Sequence, residues 1–251
     1  MNFLWLLGGI MKWAGLRSFF VVLLMAFAAG GNVSAAGTAP NDANDLEEAA
    51  GMVDAQSASI SAVMKLCEQK QPKYAYDFHM ADYVWHADNH DMVLAEKRVL
   101  GNAAERALQP LIERGIDEIE KGVEANPSNC VRFSNALITG SRNVKTYTPR
   151  AYGYLIAVYE KAPDLIAEHE RQEVETGCVK GYSNRGGRNF EKALGMCRCT
   201  RDAIYTALTD QERQDMFAHS GDPTYMQKAS WSGKLRKKGQ ACMAMLDTQT
   251  Q

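Results

Sequence analysis

Apolar side chains recur every three, four or seven residues along most of this chain, the spacing that places them on one face of an α-helix. The first such stripe comprises Leu46, Ala49, Val53, Ile60, Val63 and Cys67. The same periodicity predicts further helices over residues 76–89, 93–124, 128–141, 149–159, 163–177 and 188–208, then one after Thr209 and a last one from Pro223. No run alternates apolar and polar residues for long enough to form a sheet. We therefore predict an all-α fold.

Short polar motifs mark where several of these helices begin. Thr148 precedes Pro149, which is the order of an N-cap residue and a proline at the first helical position. Thr209 and Glu212 have the spacing of a capping box, in which each side chain binds the other residue's backbone N–H. The sequence GYSNRGG at 181–187 is the clearest predicted linker.

The beginning of the chain has the pattern of a cleaved secretory signal peptide. Lys12 and Arg17 precede a short apolar segment at 19–29, and small residues at 33–36 (VSAA) offer a cleavage site. A membrane-spanning helix needs roughly 20 apolar residues, so this segment favours a cleaved signal peptide, and an uncleaved anchor aided by residues 4–7 is the alternative. Met11, directly before Lys12, is a second candidate for the translation start. We predict export to the periplasm or secretion.

Charge divides the remaining chain into two halves. Residues 37–177 contain 14 Lys and Arg against 23 Asp and Glu, whereas residues 178–251 contain 12 against 7. We therefore predict a signal peptide at 1–36, a flexible mature N-terminus at 37–45, an acidic helical unit at 46–177 and a basic helical unit from 178 to the end. Opposite charges favour either docking of the two halves or a basic face for an anionic partner.

The six cysteines predict three disulfides, because an even number of cysteines in an exported protein favours pairing over free thiols. They are Cys67, Cys130, Cys178, Cys197, Cys199 and Cys242. We accordingly predict a disulfide-stapled helical bundle of two units.

Cys197 and Cys199 must bond different partners, because residues two apart on a helix point about 200° apart. Cys197 and Cys242 both lie on apolar stripes that we expect to pack on each other. The preferred pairing is Cys197–Cys242, Cys178–Cys199 and Cys67–Cys130. The close alternative joins Cys178 to Cys197 and Cys199 to Cys242.

Part of the basic unit resembles a group of small exported proteobacterial helical proteins. The shared features are the C-x-C sequence at 196–199 (MCRC), the helix start from Thr209 to Glu212, and the downstream Cys242. The resemblance covers residues 178–245. It implies export and disulfides, and it implies no catalytic residues.

Three histidines are the best candidates for metal ligands. His86 and His90 are four residues apart and His79 lies seven before His86, so one helix face can hold all three, with Asp82 beside them. Imidazoles one turn apart suit Zn²⁺ or copper. If Asn89 instead caps a new helix, His90 leaves this face.

Basic side chains in the second half are candidates for binding anionic glycans or lipid head groups. They are Arg185, Arg188, Lys234, Arg236, Lys237 and Lys238. Export makes nucleic acid an unsuitable partner for them, and a simply solvated face is the alternative.

The familiar sequence motifs of haem attachment, dithiol redox chemistry, serine hydrolases, zinc proteases and phosphate-binding loops are absent. The leading prediction is therefore a periplasmic, non-enzymatic interaction or adaptor protein with an envelope protein partner. The alternatives are a periplasmic copper- or zinc-binding protein that uses His79, His86 and His90, and a cell-wall hydrolase without a recognisable motif.

Overall fold

The computed structural model describes residues 43, 45–101, 121, 123, 126–184 and 189–248. The predicted signal peptide with its cleavage site, Arg185 and Arg188 lie outside these residues. Most of the predicted helix at 93–124 also lies outside them.

The described part of the chain is helical and contains no strand, which confirms the all-α prediction. Its helices are α1 (Leu46–Lys70), α2 (Ala75–Asp88), α3 (residues 90–101), α4 (Ser128–Ile138), α5 (Val144–Tyr147), α6 (Pro149–Tyr159), α7 (Pro163–Asn184), α8 (Phe190–Ala207), α9 (Asp210–Ala218), α10 (Pro223–Lys228) and α11 (Ser232–Thr248). A single 3-10 turn at Pro72–Tyr74 joins α1 to α2. No helix among the described residues is long and apolar enough to cross a membrane.

The chain forms two compact units, Met1–His169 and Glu170–Gln251. This division lies inside α7, whereas the change in charge placed it at 177/178. We expected α7 to end at Gly177, but it continues to Asn184 and includes the first part of the predicted linker. Glycine inside a helix costs only about 1 kcal/mol relative to alanine, so Gly177 need not end one.

The core of the first unit is built around α1. Residues on nearly every side of this helix are buried, including Met52, Ile60 and Met64. Trp85 and Phe78 of α2 are the largest fully buried side chains of the same core. The sequence stripe therefore marked only part of the buried surface of α1, because small residues outside it, such as Ala50, also pack there.

The second unit has a smaller core, made of Ile204, Leu208, Met216 and Trp231. A carboxylate organises it: Asp215 accepts hydrogen bonds from Trp231 Nε1 at 2.7 Å and from the Tyr225 hydroxyl at 2.8 Å. These two hydrogen bonds, the first of them the stronger influence, lower the pKa of Asp215.

One of the two predicted helix caps has the expected geometry. The Thr209–Glu212 capping box is present, with the Thr209 N–H donating to Glu212 Oε2 at 2.9 Å. Thr148 does occupy the N-cap position of α6, but its hydroxyl donates to the carbonyl of Val144 at 3.2 Å. Thr148 as the N-cap residue and Pro149 at the first helical position are therefore confirmed, but the Thr148 side chain makes no capping hydrogen bond.

All six cysteines are paired, as Cys67–Cys130, Cys178–Cys197 and Cys199–Cys242. The first bridge and the separate partners of Cys197 and Cys199 are confirmed. The preferred pairs Cys197–Cys242 and Cys178–Cys199 are wrong, and the stated alternative is the pairing observed. Cys178 lies in helix α7 and not in a loop, with its Cα 5.6 Å from that of Cys197. Cys199 lies on another side of α8 and is joined to Cys242 of α11.

Candidate functional site

Helices α1 and α2 meet through three polar contacts that include two of the predicted metal ligands. His86 Nε2 lies 2.9 Å from Ser57 Oγ, and His79 Nε2 lies 2.7 Å from Glu68 Oε2. Between them the Ser61 hydroxyl donates to Asp82 Oδ1 at 2.9 Å. We call these three pairs the polar ladder.

The polar ladder follows from the periods of the two helices. His79, Asp82 and His86 recur at three and four residues on α2, so they share the face that the sequence predicted. On α1 the serines are four apart and the helix runs in the opposite direction, so the ladder pairs early positions of one helix with late positions of the other. Each polar group thereby gains a partner within the protein.

The three histidines named as metal ligands are not brought together. His79 and His86 bind different residues of α1, and His90 begins α3 and faces His169 instead. Within the ranges that the structure describes, no three His, Cys, Asp or Glu side chains form a group that could hold a metal ion. Copper or zinc binding by these histidines stays a prediction.

His86 is held in the polar ladder by both ring nitrogens. Its Nδ1 lies 2.9 Å from the carbonyl oxygen of Asp82 and 3.3 Å from the Asp82 carboxylate. Burial lowers the pKa of His86, but the hydrogen bond and negative charge of Asp82 outweigh burial, so its pKa is raised. A protonated His86 therefore strengthens its contact with Asp82 in the folded protein.

His90 has the opposite environment. Its ring stacks on that of His169 with centroids 5.6 Å apart, and the edge of Tyr159 meets His169 at 5.8 Å. The buried Nδ1 atom of His90 has no hydrogen-bond partner among the described residues. Burial, followed by the charges of His169, Lys97 and His86, lowers the pKa of His90 to about 4.

We expect His90 to destabilise the first unit in mild acid. Its pKa rises from about 4 in the folded chain to an ordinary value of 6.5 on unfolding, so the unfolded chain binds more protons and stability falls as the pH drops from 6.5 towards 4. After allowance for solvent screening at this half-buried ring, we expect the free energy of unfolding to fall by about 1–2 kcal/mol over this pH range. His90→Gln should flatten the pH dependence measured by urea unfolding between pH 7 and 4.

His79→Gln is the matched control, because His79 is about one-third exposed and lies beside Glu68. The His79→Gln variant should lose as much stability in mild acid as the parent protein does. Equal pH profiles for the His90→Gln variant and the parent protein would contradict the role assigned to His90. The raised pKa of His86 acts in the opposite direction, since it adds stability at low pH that is lost as the pH rises through the folded pKa.

A buried polar hub on α1 and α2 holds the loop that leads into α5. The carbonyl oxygen of Arg142 accepts hydrogen bonds from Gln56 Nε2 and from Trp85 Nε1, both at 2.8 Å. Asn89 donates to Asn143 Oδ1 at 3.2 Å, and its own Oδ1 accepts from the Val144 N–H at 2.8 Å. Sequence reasoning missed this hub, because only the fold shows that a loop more than 50 residues away supplies the partners.

The basic residues proposed to bind anions differ in whether they are neutralised. Lys234 Nζ pairs with Glu212 at 2.7 and 3.0 Å, and this hydrogen bond is the main reason that the pKa of Glu212 is lowered. Arg236, Lys237 and Lys238 of α11 are exposed. Among the described residues no carboxylate forms an ion pair with these three. We call them the α11 cationic group.

Comparison with protein-family models, with curated proteins and with solved structures finds no match to this chain.

Proposed function

We propose that this protein is an exported, non-enzymatic interaction protein of the bacterial envelope, and that its second unit binds an acidic envelope protein through the α11 cationic group. The observation that carries the proposal is the exposure of three consecutive cations that no described carboxylate neutralises. Electrostatic complementarity of this kind speeds association and orients a partner.

The α11 cationic group is supported by a rigid base. Consecutive helical residues point 100° apart, so the three cations cover about 200° of the surface of α11. Four residues further along, Cys242 is bonded to Cys199 of α8 and is 2% exposed. The bridge fixes α11 to α8 one turn beyond Lys238, while the three cations remain exposed.

The location in the envelope rests on two observations of different kinds. Three disulfides fit a protein of an oxidising compartment. The basic and apolar pattern at 12–36 is the reason for proposing a cleaved signal peptide and a periplasmic or secreted protein.

Site-specific photo-crosslinking in living cells tests this function. A photoreactive amino acid at position 240 keeps all three cations and places the probe on α11, whereas position 227 on α10 is the matched control, since both are exposed glutamines of the second unit. We expect a discrete adduct from position 240, and none from position 227.

The adduct should disappear when Arg236, Lys237 and Lys238 are all replaced by serine, because the acidic partner then loses its counter-charges. Correct folding is checked by circular dichroism and by the three disulfides on non-reducing peptide maps. An adduct that persists in the serine variant, or the absence of any adduct from position 240, would contradict the proposal.

A further inference from the structure

The acidic first unit contains one long stretch without any acidic residue. Residues 125–159 include no Asp or Glu but contain Arg132, Arg142, Lys145 and Arg150. The rest of residues 37–177 carries 10 basic against 23 acidic side chains. The negative charge of the first half is therefore unevenly distributed along the chain, and helices α4 to α6 form its basic part.

Aromatic rings hold two of these cations at the surface. The guanidinium of Arg142 lies 4.7 Å from the ring centre of Tyr147 and 5.9 Å from that of Phe133. The ammonium of Lys145 lies 5.5 Å from the ring centre of Tyr152. The backbone carbonyl of Arg142 accepts hydrogen bonds from Gln56 and Trp85, so the backbone that carries this cation is held in place.

Exposed aliphatic residues accompany the cations. Val131 and Ile138 are 37% and 45% exposed, and their spacing of seven puts them on the same outer side of α4. The exposed Arg132 lies on that outer side as well. Two of the five large apolar side chains exposed in the described part of the chain therefore lie together on α4.

We propose that these side chains form a surface that rests on anionic phospholipid membranes. This basic–aromatic surface is defined as Val131, Arg132, Ile138, Arg142, Lys145, Tyr147 and Tyr152. Its cations contact lipid phosphates, its tyrosines lie at the level of the head groups, and Val131 and Ile138 enter the boundary with the acyl chains.

The same residues fit an acidic polysaccharide less well. Sugars bind proteins by stacking on open aromatic faces, but Arg142 and Lys145 already cover faces of Tyr147 and Tyr152. Exposed aliphatic side chains add nothing to glycan binding, whereas they add apolar burial at a lipid surface. Among the described residues, no acidic side chain pairs with Arg132, Arg142 or Lys145, so their charge is open to phosphate.

Vesicle sedimentation of the mature protein tests the proposal. The probes are vesicles of phosphatidylglycerol mixed with phosphatidylethanolamine, and vesicles of phosphatidylcholine alone. We expect binding to the anionic vesicles that weakens with salt, and none to the neutral ones. Each cation near an anionic membrane contributes about a fivefold factor, so Arg132→Gln with Lys145→Gln should weaken binding about 25-fold.

The control variant Lys65→Gln with Lys97→Gln removes two exposed lysines of the same unit outside this stretch. It should retain most of the binding, because only a long-range contribution is lost. Ile138→Ser should weaken vesicle binding at any salt concentration. Equal losses in the two charge variants, or an unaffected Ile138→Ser, would overturn the proposal, as would binding to a soluble acidic polysaccharide without binding to vesicles.

This inference is separable from the proposed function of the second unit. Replacing the α11 cationic group by serine should leave vesicle binding largely intact while it abolishes the crosslinked adduct. If that replacement alone removes vesicle binding, the basic–aromatic surface is wrong and the cations of α11 are responsible. Loss of the adduct with vesicle binding unchanged supports both assignments.

Discussion

Replacing Cys67 and Cys130 together by alanine is expected to lower the free energy of unfolding of the first unit by about 4 kcal/mol. The bridge joins two positions that are 63 residues apart in sequence. Without it the unfolded chain is no longer closed into this long loop, so its conformational entropy rises. Both cysteines are fully buried in the core that joins α1 to α4, so the two missing sulfurs also leave a small void.

Tryptophan fluorescence during urea unfolding measures this loss, because residues 37–251 contain one tryptophan in each unit. Trp85 is 0% exposed in the first unit and Trp231 is 3% exposed in the second. A Trp231→Phe background leaves Trp85 as the single reporter of the first unit.

The matched variant removes a bridge from the second unit. Cys178→Ala with Cys197→Ala removes a bridge between positions only 19 residues apart. We therefore expect the free energy of unfolding of the second unit to fall by a smaller amount, about 3 kcal/mol. The unfolding of Trp85 should not change in this variant. A loss below about 1 kcal/mol for the Cys67 and Cys130 pair would show that the core, and not the bridge, holds α1 to α4.

Asn89→Ala is expected to lower the free energy of unfolding of the first unit by about 3 kcal/mol. This is the largest effect that we predict for any single polar replacement. Asn89 is 2% exposed and donates to the carbonyl of Trp85 at 2.7 Å as well as to Asn143. Without its Oδ1 acceptor the Val144 N–H, which belongs to a 0% exposed residue, loses its partner. A buried donor without a partner costs about 1–3 kcal/mol by itself.

Asn135→Ala is the control for this variant, since Asn135 is an exposed asparagine of α4. It should change the free energy of unfolding by less than about 0.5 kcal/mol. Asn89→Asp, at a pH where the new side chain is protonated, keeps an acceptor for Val144 and should recover part of the loss. Equal stabilities of the Asn89→Ala and Asn135→Ala variants would mean that the hub does not hold the loop.

The predicted metal-binding face of α2 shows what helical periodicity can predict and what it cannot. The spacing of His79, Asp82 and His86 does place them on one side of α2, as the sequence indicates. Periodicity describes one helix at a time, so it cannot show that Ser57, Ser61 and Glu68 of α1 lie opposite. Once those partners are present, the same three residues act as hydrogen-bonding groups between two helices.

The cysteines show the same limit in covalent form. The angle between Cys197 and Cys199 follows from helix geometry, and it correctly required two different partners. The choice of partner depended on whether Cys178 lies in a loop or in a helix. Gly177 and the glycines after it favoured a loop, but α7 continues through this region and brings Cys178 beside Cys197.

The amino-acid sequence alone determined the all-α class, the pairing of Cys67 with Cys130, the capping box at Thr209 and the unequal charges of the two halves, because each depends on neighbours within a few turns, on composition or on elimination. Only the tertiary structure decided the polar ladder, the partners of Cys197 and Cys199, and the joining of Arg142, Lys145 and their tyrosines into one surface. These features depend on which helices face each other. That arrangement is set by the packing of the whole core, which no local pattern contains.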